Sequence, residues 1–538
     1  TVQTGVRVIT EAGGERLVFE TEEDFTLIPV SLKSVKTVYN SQAVDNTQAN
    51  EKDDIYFAPF GEKALQGAEL RLGFDKPLPE KEIHISFVLF EEDLTPVGSH
   101  GEEKPQVSPS PTLVWEYFSG GQWNELVIEK DTTWALTRGG RIVLDGPSSM
   151  DKEDGLYWIR CRLEAGRYEI PPLINMVLLN TISAVQIETV KDEYLGTVLE
   201  APGQTVRLKK SPVIEGSQKI QVQGESGEED WDEVDDFEFS SPDDPHYIFN
   251  PESGEITFGN GLNGRIPLGS EKIRASYKTT LGPKGNIAKG QKWWIDEIGF
   301  EGIIGENLRG ATGGEAAESI ENAKGRARRD LGTRYRAVTS GDYEQLALST
   351  PGLRVARAKA IPGYNPDYPC FPIHYPGVSI PGVVTVVVVP HAREGTVTPV
   401  PGEGFIQTVF RHLDVHRLVT ADLYVIGPEY VKVSVGCKVR LKKKSSPAEI
   451  GKRVRKALED FLDPLKGGPD GNGWPFGRSA YPSEIYQVID GVEGVDYATG
   501  ISLSAEGRYQ REGDVIKIPP IALAYSGEHQ VEIIQDAI

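Results

Sequence analysis

Four stretches of the chain carry residue types at spacings that could do chemistry. The first is "EITFGNGLNG" (255–264), where Gly259-x-Gly261-x-x-Gly264 has the glycine spacing of a dinucleotide-binding loop and follows a strand-like run. Such a loop needs a helix directly after the glycines, so that its N-terminal N–H groups face a pyrophosphate. The next residues are "RIPLGSEKIRASY", in which Pro267 and Gly269 disfavour a helix and "KIRASY" alternates like a strand. Asn260-Gly261 and Asn263-Gly264 suit turn positions with positive φ, so the spacing predicts a β-hairpin turn rather than a nucleotide site.

The second stretch, "GESGEEDWDEVDDFEFSSPDD" (224–244), holds eleven acids and no base. Calcium favours such oxygen ligands, but the EF-hand order is absent. Trp231, Phe237 and Phe239 interleave the acids as strand anchors would. The third is the pair His412 and His416, four apart on a predicted helix, a spacing that can bind a metal. No third ligand is evident in the sequence, so a surface pair is expected and no metal is assigned. The fourth is Lys442-Lys443-Lys444. It lacks interleaved aromatics, and the chain's net charge is −23, so a solvated or subunit-facing loop is expected and no nucleic acid.

No catalytic constellation emerges. H-E-x-x-H, G-x-S-x-G, Walker and kinase patterns are absent, and no cysteine has a reactive signature. No catalytic residue and no cofactor are assigned, and a non-enzymatic protein is expected. Cys161, Cys370 and Cys437 are far apart and odd in number, which fits a reducing compartment rather than a disulfide framework.

The elements that would position these residues divide the chain of 538 residues into several domains. Residues 1–75 alternate as short strands, forming a β-rich N-terminal segment that can share a domain with 191–312. Residues 76–190 continue with "EIHISFVLF", "TLVWEYF" and "LYWIRCRLE", closely spaced strands of a β-sandwich insertion. Trp115, Tyr117, Trp123, Trp134 and Trp158 crowd here and are read as sandwich core and rim, with a carbohydrate platform as the alternative. Residues 191–312 form a β domain with the acidic segment and the Asn-Gly hairpin.

From 313 helices enter. Residues 313–352 read as a helical connector. Its first helix, 315–331, has an inward stripe of Ala316, Ile320, Ala323, Ala327 and Leu331, with Arg326, Arg328 and Arg329 near its end. Thr339 and Asp342 form a capping-box pattern for the second, and Pro351-Gly352 stops it. Residues 353–427 and 428–538 read as two small α+β units, with the ferredoxin-like arrangement as one candidate. In them Phe405, Val409 and Leu413 point inward from helix 403–417. Ser446 caps helix 446–463, and Glu449 stands at its box position. The fold class is therefore multi-domain β-rich plus α+β.

Charge is uneven: residues 1–319 carry 30 basic and 55 acidic residues, residues 320–538 carry 27 and 25. An acidic front and a locally basic rear suit head-to-tail contacts between copies. No run of roughly 18 apolar residues occurs, so no membrane insertion is expected. No secretory leader stands at Thr1, and the absence of an initial Met points to a missing N-terminal piece.

Several segments resemble one family. "GGEAAESIENAKGRARRDLGTRYRAVTSGDYEQLALSTPGLRVARAKAIPG" (313–363) is similar to the baseplate J-like proteins of contractile phage tails and related injection systems, through Arg336, Ala337, Val338, Thr339, Asp342, Tyr343 and Glu344. "GWPFGRSAYPSEIYQVIDGVEGVDY" (473–497), "YSGEHQVEI" (525–533), "NPESGEITFGNG" (250–261) and "GPKGNIAKG" (282–290) resemble the same branch, the baseplate assembly proteins. That family's usual helical region before a strand like "TVQTGVRVITE" is absent here. The resemblance implies a structural wedge component, assembled in the cytoplasm into the baseplate of a phage tail or injection particle. Its implied partners are other wedge subunits, the central spike hub, a sheath-initiator protein and copies of itself around a ring. Two contact regions are expected: Arg326, Arg328 and Arg329 against an acidic partner, and a C-terminal region with Lys442, Lys443, Lys444, Trp474 and Phe476. For the last two, burial in their own domain is the equal alternative. A multi-domain adhesin using the Trp-rich sandwich, and a metal-assisted hydrolase using 225–244, are the competing functions.

Overall fold

A computed structural model describes the chain apart from positions 53, 102, 198, 225–226, 298, 301, 333–334, 368–379, 443–445 and 535–538, and apart from the side chains at 329 and 330. The fold is β-rich, with multiple sheets and a few helices. The chain divides into two compact units, one of Thr1–Pro29, Glu82–His84 and Asn180–Ala327, the other of Val30–Lys81, Ile85–Leu179 and Arg328–Ile538.

Among its described residues the first unit contains two sheets. In the smaller, Arg7–Ala12 lies between Glu15–Thr21 and Lys292–Ile295, both antiparallel. Strand alternation turns Leu17 and Phe19 inward, and Trp293 meets Phe19 edge-on at 4.8 Å between ring centroids. The larger sheet has seven strands in the order Glu188–Thr197, Lys272–Thr279, Lys219–Gly224, Gly227–Glu233, His246–Asn250, Glu255–Phe258, Thr205–Arg207. Every second residue (Ile220, Val222; Ile256, Phe258; Ile273, Ala275, Tyr277) enters its core.

This order corrects the hairpin expectation. Glu255–Phe258 pairs with His246–Asn250 and Thr205–Arg207, not with Lys272–Thr279. The glycine loop does turn: Gly261 and Gly264 have φ of +80° and +78°, and the Gly261 N–H donates to Gly264 O at 2.9 Å. Both hydrogen-bonding edges of Glu255–Phe258 are already occupied, so the turn opens a crossover to a distant strand. Residues 265–271 run without helix into Lys272–Thr279.

In the second unit Leu32–Tyr39 and Glu69–Phe74 share a sheet with Leu156–Ala165 and Thr112–Ser119. Gly73 is required there by close approach, since a Cβ would stand 2.9 Å from the Trp158 ring. A second sheet contains the strand Glu82–Leu89 from Ile85 onward, Gly140–Asp145 and Ile174–Leu179, and Phe87 from it lies 5.9 Å from the Trp115 ring of the first.

Helix α1 spans Ile320–Gly332, starting later than expected. Ile320 is 75% and Leu331 88% exposed, so its stripe faces outward rather than inward. Alanines bury too little area to hold such a helix against a sheet. Helix α2 (Ser340–Leu348) has the expected capping box between Thr339 and Asp342. Helix α3 (Glu403–His416) buries Phe405, Val409 and Leu413 against the three-stranded sheet of Val355–Pro362, Val383–Pro390 and Asp422–Ile426. Val383–Pro390 is central and almost wholly buried, as its apolar run predicts.

The last lobe is built on Glu429–Leu441. Val495–Glu506 pairs antiparallel on one edge, and Ala522–Ser526 and Gln530–Ile534 follow each other in parallel on the other. Helices α4 (Pro447–Phe461) and α5 (Pro482–Asp490) contribute Ile450, Val454, Leu458, Ile485 and Ile489 to the core around it. Ser446 is the N-cap of α4, but its side chain makes no cap bond, and Glu449 pairs with Arg453 one turn on instead. Among the described residues neither sheet has ferredoxin-like order, because the first has three strands and the second a split edge.

Candidate functional site

Helix α3 is held along its length by the segment 98–110. At its start, Ser110 Oγ accepts the Phe405 N–H at 3.1 Å and donates to Glu169 Oε1 at 2.5 Å, while the same carboxylate oxygen accepts the Gly402 N–H at 2.9 Å. An anionic group is favoured at this end, where backbone N–H groups are unpaired and the helix dipole is positive. Burial nevertheless pushes the Glu169 carboxyl above its ordinary range, against the lowering effect of the Ser110 and Gly402 bonds. In the middle, Thr408 Oγ1 accepts the Ser108 N–H at 3.0 Å, and Arg411 donates to Ser108 Oγ.

At the far end the i,i+4 pair His412 and His416 meets His100 and Glu103. Both histidines are buried, with side chains 5% and 6% exposed, which corrects the expected surface pair. His100 is equally buried at 3%, and Glu103 is open to solvent at 37%. Glu103 Oε1 lies 3.0 Å from His100 Nδ1 and 2.9 Å from His416 Nε2, and its Oε2 lies 3.0 Å from His412 Nδ1. The three imidazole centroids stand 4.8–5.2 Å apart. One nitrogen or oxygen from each of the four residues lies within 4.8 Å of all the others.

The loop is pinned where it delivers these groups. The Gly98 N–H donates to Leu353 O at 2.6 Å, and the Gly352 N–H to Gly98 O at 3.0 Å. A Cβ on Gly98 would meet Thr350 O at 2.4 Å. Burial pushes the His412 pKa down to about 4, with the Glu103 charge opposing and His416 and His100 adding to the fall. Burial raises the Glu103 carboxyl, but the His100 bond and the facing imidazoles outweigh it and lower it overall.

The sequence could not bring His100 and Glu103 to this pair because they lie some 300 positions before α3. The one local signal is His100 and Glu103, three apart in the Gly- and Pro-rich stretch "GSHGEEKPQVSPSP".

The expected contact residues do not converge. Arg326 reaches back to Glu318 at 3.0 Å, Arg328 is exposed, and the Arg329 side chain is outside the described residues. Lys442 is exposed, while Lys443 and Lys444 lie outside the described residues. Trp474 is fully buried in the C-terminal core, edge-on to Phe461 at 5.5 Å, with Nε1 donating to Arg478 O at 3.0 Å. Phe476 is half-buried beneath the Arg357 guanidinium at 5.0 Å.

The sandwich tryptophans form no open platform. Trp115 and Trp158 are buried, Trp123 lies under Arg160 and Arg71 at 4.4 and 5.3 Å, and Trp134 under Arg138 at 3.4 Å. In the acidic stretch, Asp230 pairs with Lys219 at 3.0 Å, and Glu229 with Arg265, whose guanidinium also covers Trp231. Trp231 is the anchor expected, whereas Phe239 is exposed. Among the described residues these carboxylates gather into no metal-holding group.

No family model and no curated protein matches the chain. Among solved structures it is similar to a chain of the anti-feeding prophage baseplate, with 11% identity and a TM-score of 0.33 over 84% of this chain and 77% of that one. It is also similar to a chain of the type VI secretion system TssK-TssF-TssG baseplate subcomplex, with 11% identity and a TM-score of 0.39 over 79% and 84%. Both similarities are distant.

Proposed function

We propose that this chain is a structural component of the baseplate of a contractile tail or injection machine, in the wedge position between the central hub and the sheath, and that it makes and breaks no bonds. The observation that carries the reading is the baseplate J-like pattern at 336–344, five of whose seven members have a folding task, while Arg336 and Val338 are exposed. Ala337 and Tyr343 enter a core, Thr339 and Asp342 cap α2, and Glu344 accepts the Ala360 N–H at 3.1 Å and pairs with Lys359 at 2.9 Å. A pattern of this kind specifies how a lobe is built, which suits a family defined by shape rather than by a reaction.

Surface chemistry supports the same reading. Several small lobes, each with its own core, carry fully outward apolar side chains at Leu199, Phe239, Leu331, Val415 and Val419. Single exposed apolar residues are ordinary, but assembly surfaces recruit such groups at several contacts at once. Its partners in this reading are other wedge subunits, the hub, a sheath-initiating subunit and further copies around a ring. Deleting the chain from a producing strain tests it. Sheath and tube without a finished tail tip is the expected outcome, and complete, contraction-competent particles would overturn the proposal.

A further inference from the structure

We infer that His100, Glu103, His412 and His416 form a binding site for a divalent transition-metal ion, zinc being the best fit, which clamps the 98–110 segment onto the end of α3. This inference is independent of the baseplate reading.

The tautomer of His416 is the starting point. Its Nδ1 lies 2.8 Å from the Tyr335 carbonyl oxygen, which can only accept, so Nδ1 carries a hydrogen. In the neutral ring Nε2 then presents a lone pair, and it faces Glu103 Oε1 at 2.9 Å. Two acceptors at that distance need a cation between them, either a second proton or a metal. A ring whose outer N–H is held by a backbone carbonyl while its inner nitrogen points at a carboxylate is the usual arrangement of a metal-ligating histidine.

Three imidazoles converge on one carboxylate: His412 Nδ1 meets Glu103 Oε2, while His100 Nδ1 and His416 Nε2 both meet Oε1. A metal ion taking one lone pair from each ring would remove the competition of three rings for two oxygens.

The ligand set and spacing fit. Three imidazoles and one carboxylate are borderline ligands suited to zinc, and harder ions such as calcium and magnesium prefer all-oxygen sets. Tetrahedral zinc with bonds of 2.0–2.2 Å places its ligand atoms roughly 3.3–3.6 Å apart. The present contacts of 2.9–3.0 Å are a few tenths closer, and the four ligand atoms all stand within 4.8 Å of one another. Glu103, exposed at its rim, can move by that amount, whereas the histidines are fixed by helix and loop packing.

The test titrates Zn²⁺, and Co²⁺ as a spectroscopic probe, into metal-stripped full-length chain by calorimetry and visible absorbance. One ion per chain, tetrahedral cobalt bands displaced by zinc, and slower proteolysis at 98–110 with metal are expected. Glu103→Gln, a conservative change at a half-exposed position, should weaken binding by about 100-fold, the upper end of what even an outer partner contributes. His412→Ala should abolish the cobalt bands. If His412→Ala unfolds the lobe, His100→Gln on the loop gives the same readout. Binding of equal stoichiometry and affinity in wild type and Glu103→Gln, or no cobalt bands in the wild type, would overturn the inference.

Discussion

Replacing Trp474 with alanine separates the two readings of the "GWPFG" loop. The indole is fully buried, lies against Phe461 and gives its N–H to the Arg478 carbonyl. The backbone carbonyl of Trp474 also accepts from Arg357 Nη1 at 2.6 Å, so the loop is tied to the strand Val355–Pro362. A buried tryptophan removes about 200 Å² from water, worth about 5 kcal/mol at ~25 cal/mol per Å² as an upper figure. Measured truncations of this type cost about 3–5 kcal/mol. A loss of about 4 kcal/mol lowers amide protection roughly 10³-fold if exchange occurs through opening of this lobe. Hydrogen exchange on the intact chain reads this directly, with Glu429–Leu441 and Val495–Glu506 as reporters and Leu32–Tyr39 as the internal reference. Trp474→Phe keeps most of the ring but leaves the Arg478 carbonyl without its donor, so about 1–2 kcal/mol is expected. Unchanged protection in the alanine variant, together with failure to enter assemblies, would refute the assignment of this ring to the core.

His529 should make the same lobe acid-sensitive. Its Nδ1 accepts the Val435 N–H at 3.1 Å, and burial, aided by the Arg455 charge, pushes its pKa down to about 4. The unfolded chain, with a pKa near 6.5, binds the proton first. The stabilisation is therefore complete above about pH 6.5 and lost as pH falls towards 4, by about 3 kcal/mol in total. Urea midpoints across that range should show it, and His529→Gln should flatten the slope. Ser110→Ala removes the acceptor for the Phe405 N–H and one partner of Glu169, and should cost about 1–2 kcal/mol in urea unfolding of the second unit. Val419→Glu and Arg328→Glu change exposed side chains, so unfolding should shift by less than about 0.5 kcal/mol. Sedimentation of assembled particles tests whether either position is a contact, and normal incorporation of both variants would remove these two surfaces from the proposed interface.

What the sequence revealed followed from local pattern. Period-3.6 spacing placed Phe405, Val409 and Leu413 inside. The Thr339–Asp342 cap was legible because both partners lie within one turn. Strand order was not. Whether Glu255–Phe258 turns back on Lys272–Thr279 depends on competition from Thr205–Arg207, some fifty residues earlier, and no local signal reports that competition. The stripe on α1 misled for a related reason. Spacing identifies a face, but only packing decides whether anything covers it, and Ile320 and Leu331 stay exposed. The histidine cluster needed both kinds of information. Its i,i+4 half was visible on α3, and its other half arrives on a loop fixed by Gly98 and Gly352 backbone contacts.

The central claim, that this chain is shaped material in a tail tip, is tested most directly by cryo-electron microscopy of the particle from its native producer. The account predicts density fitting both units of this chain at the end of the tail, in several copies around the central axis, with Val419 or Leu331 against a neighbouring subunit. Intact, complete tail tips in which no density accommodates this chain would contradict it.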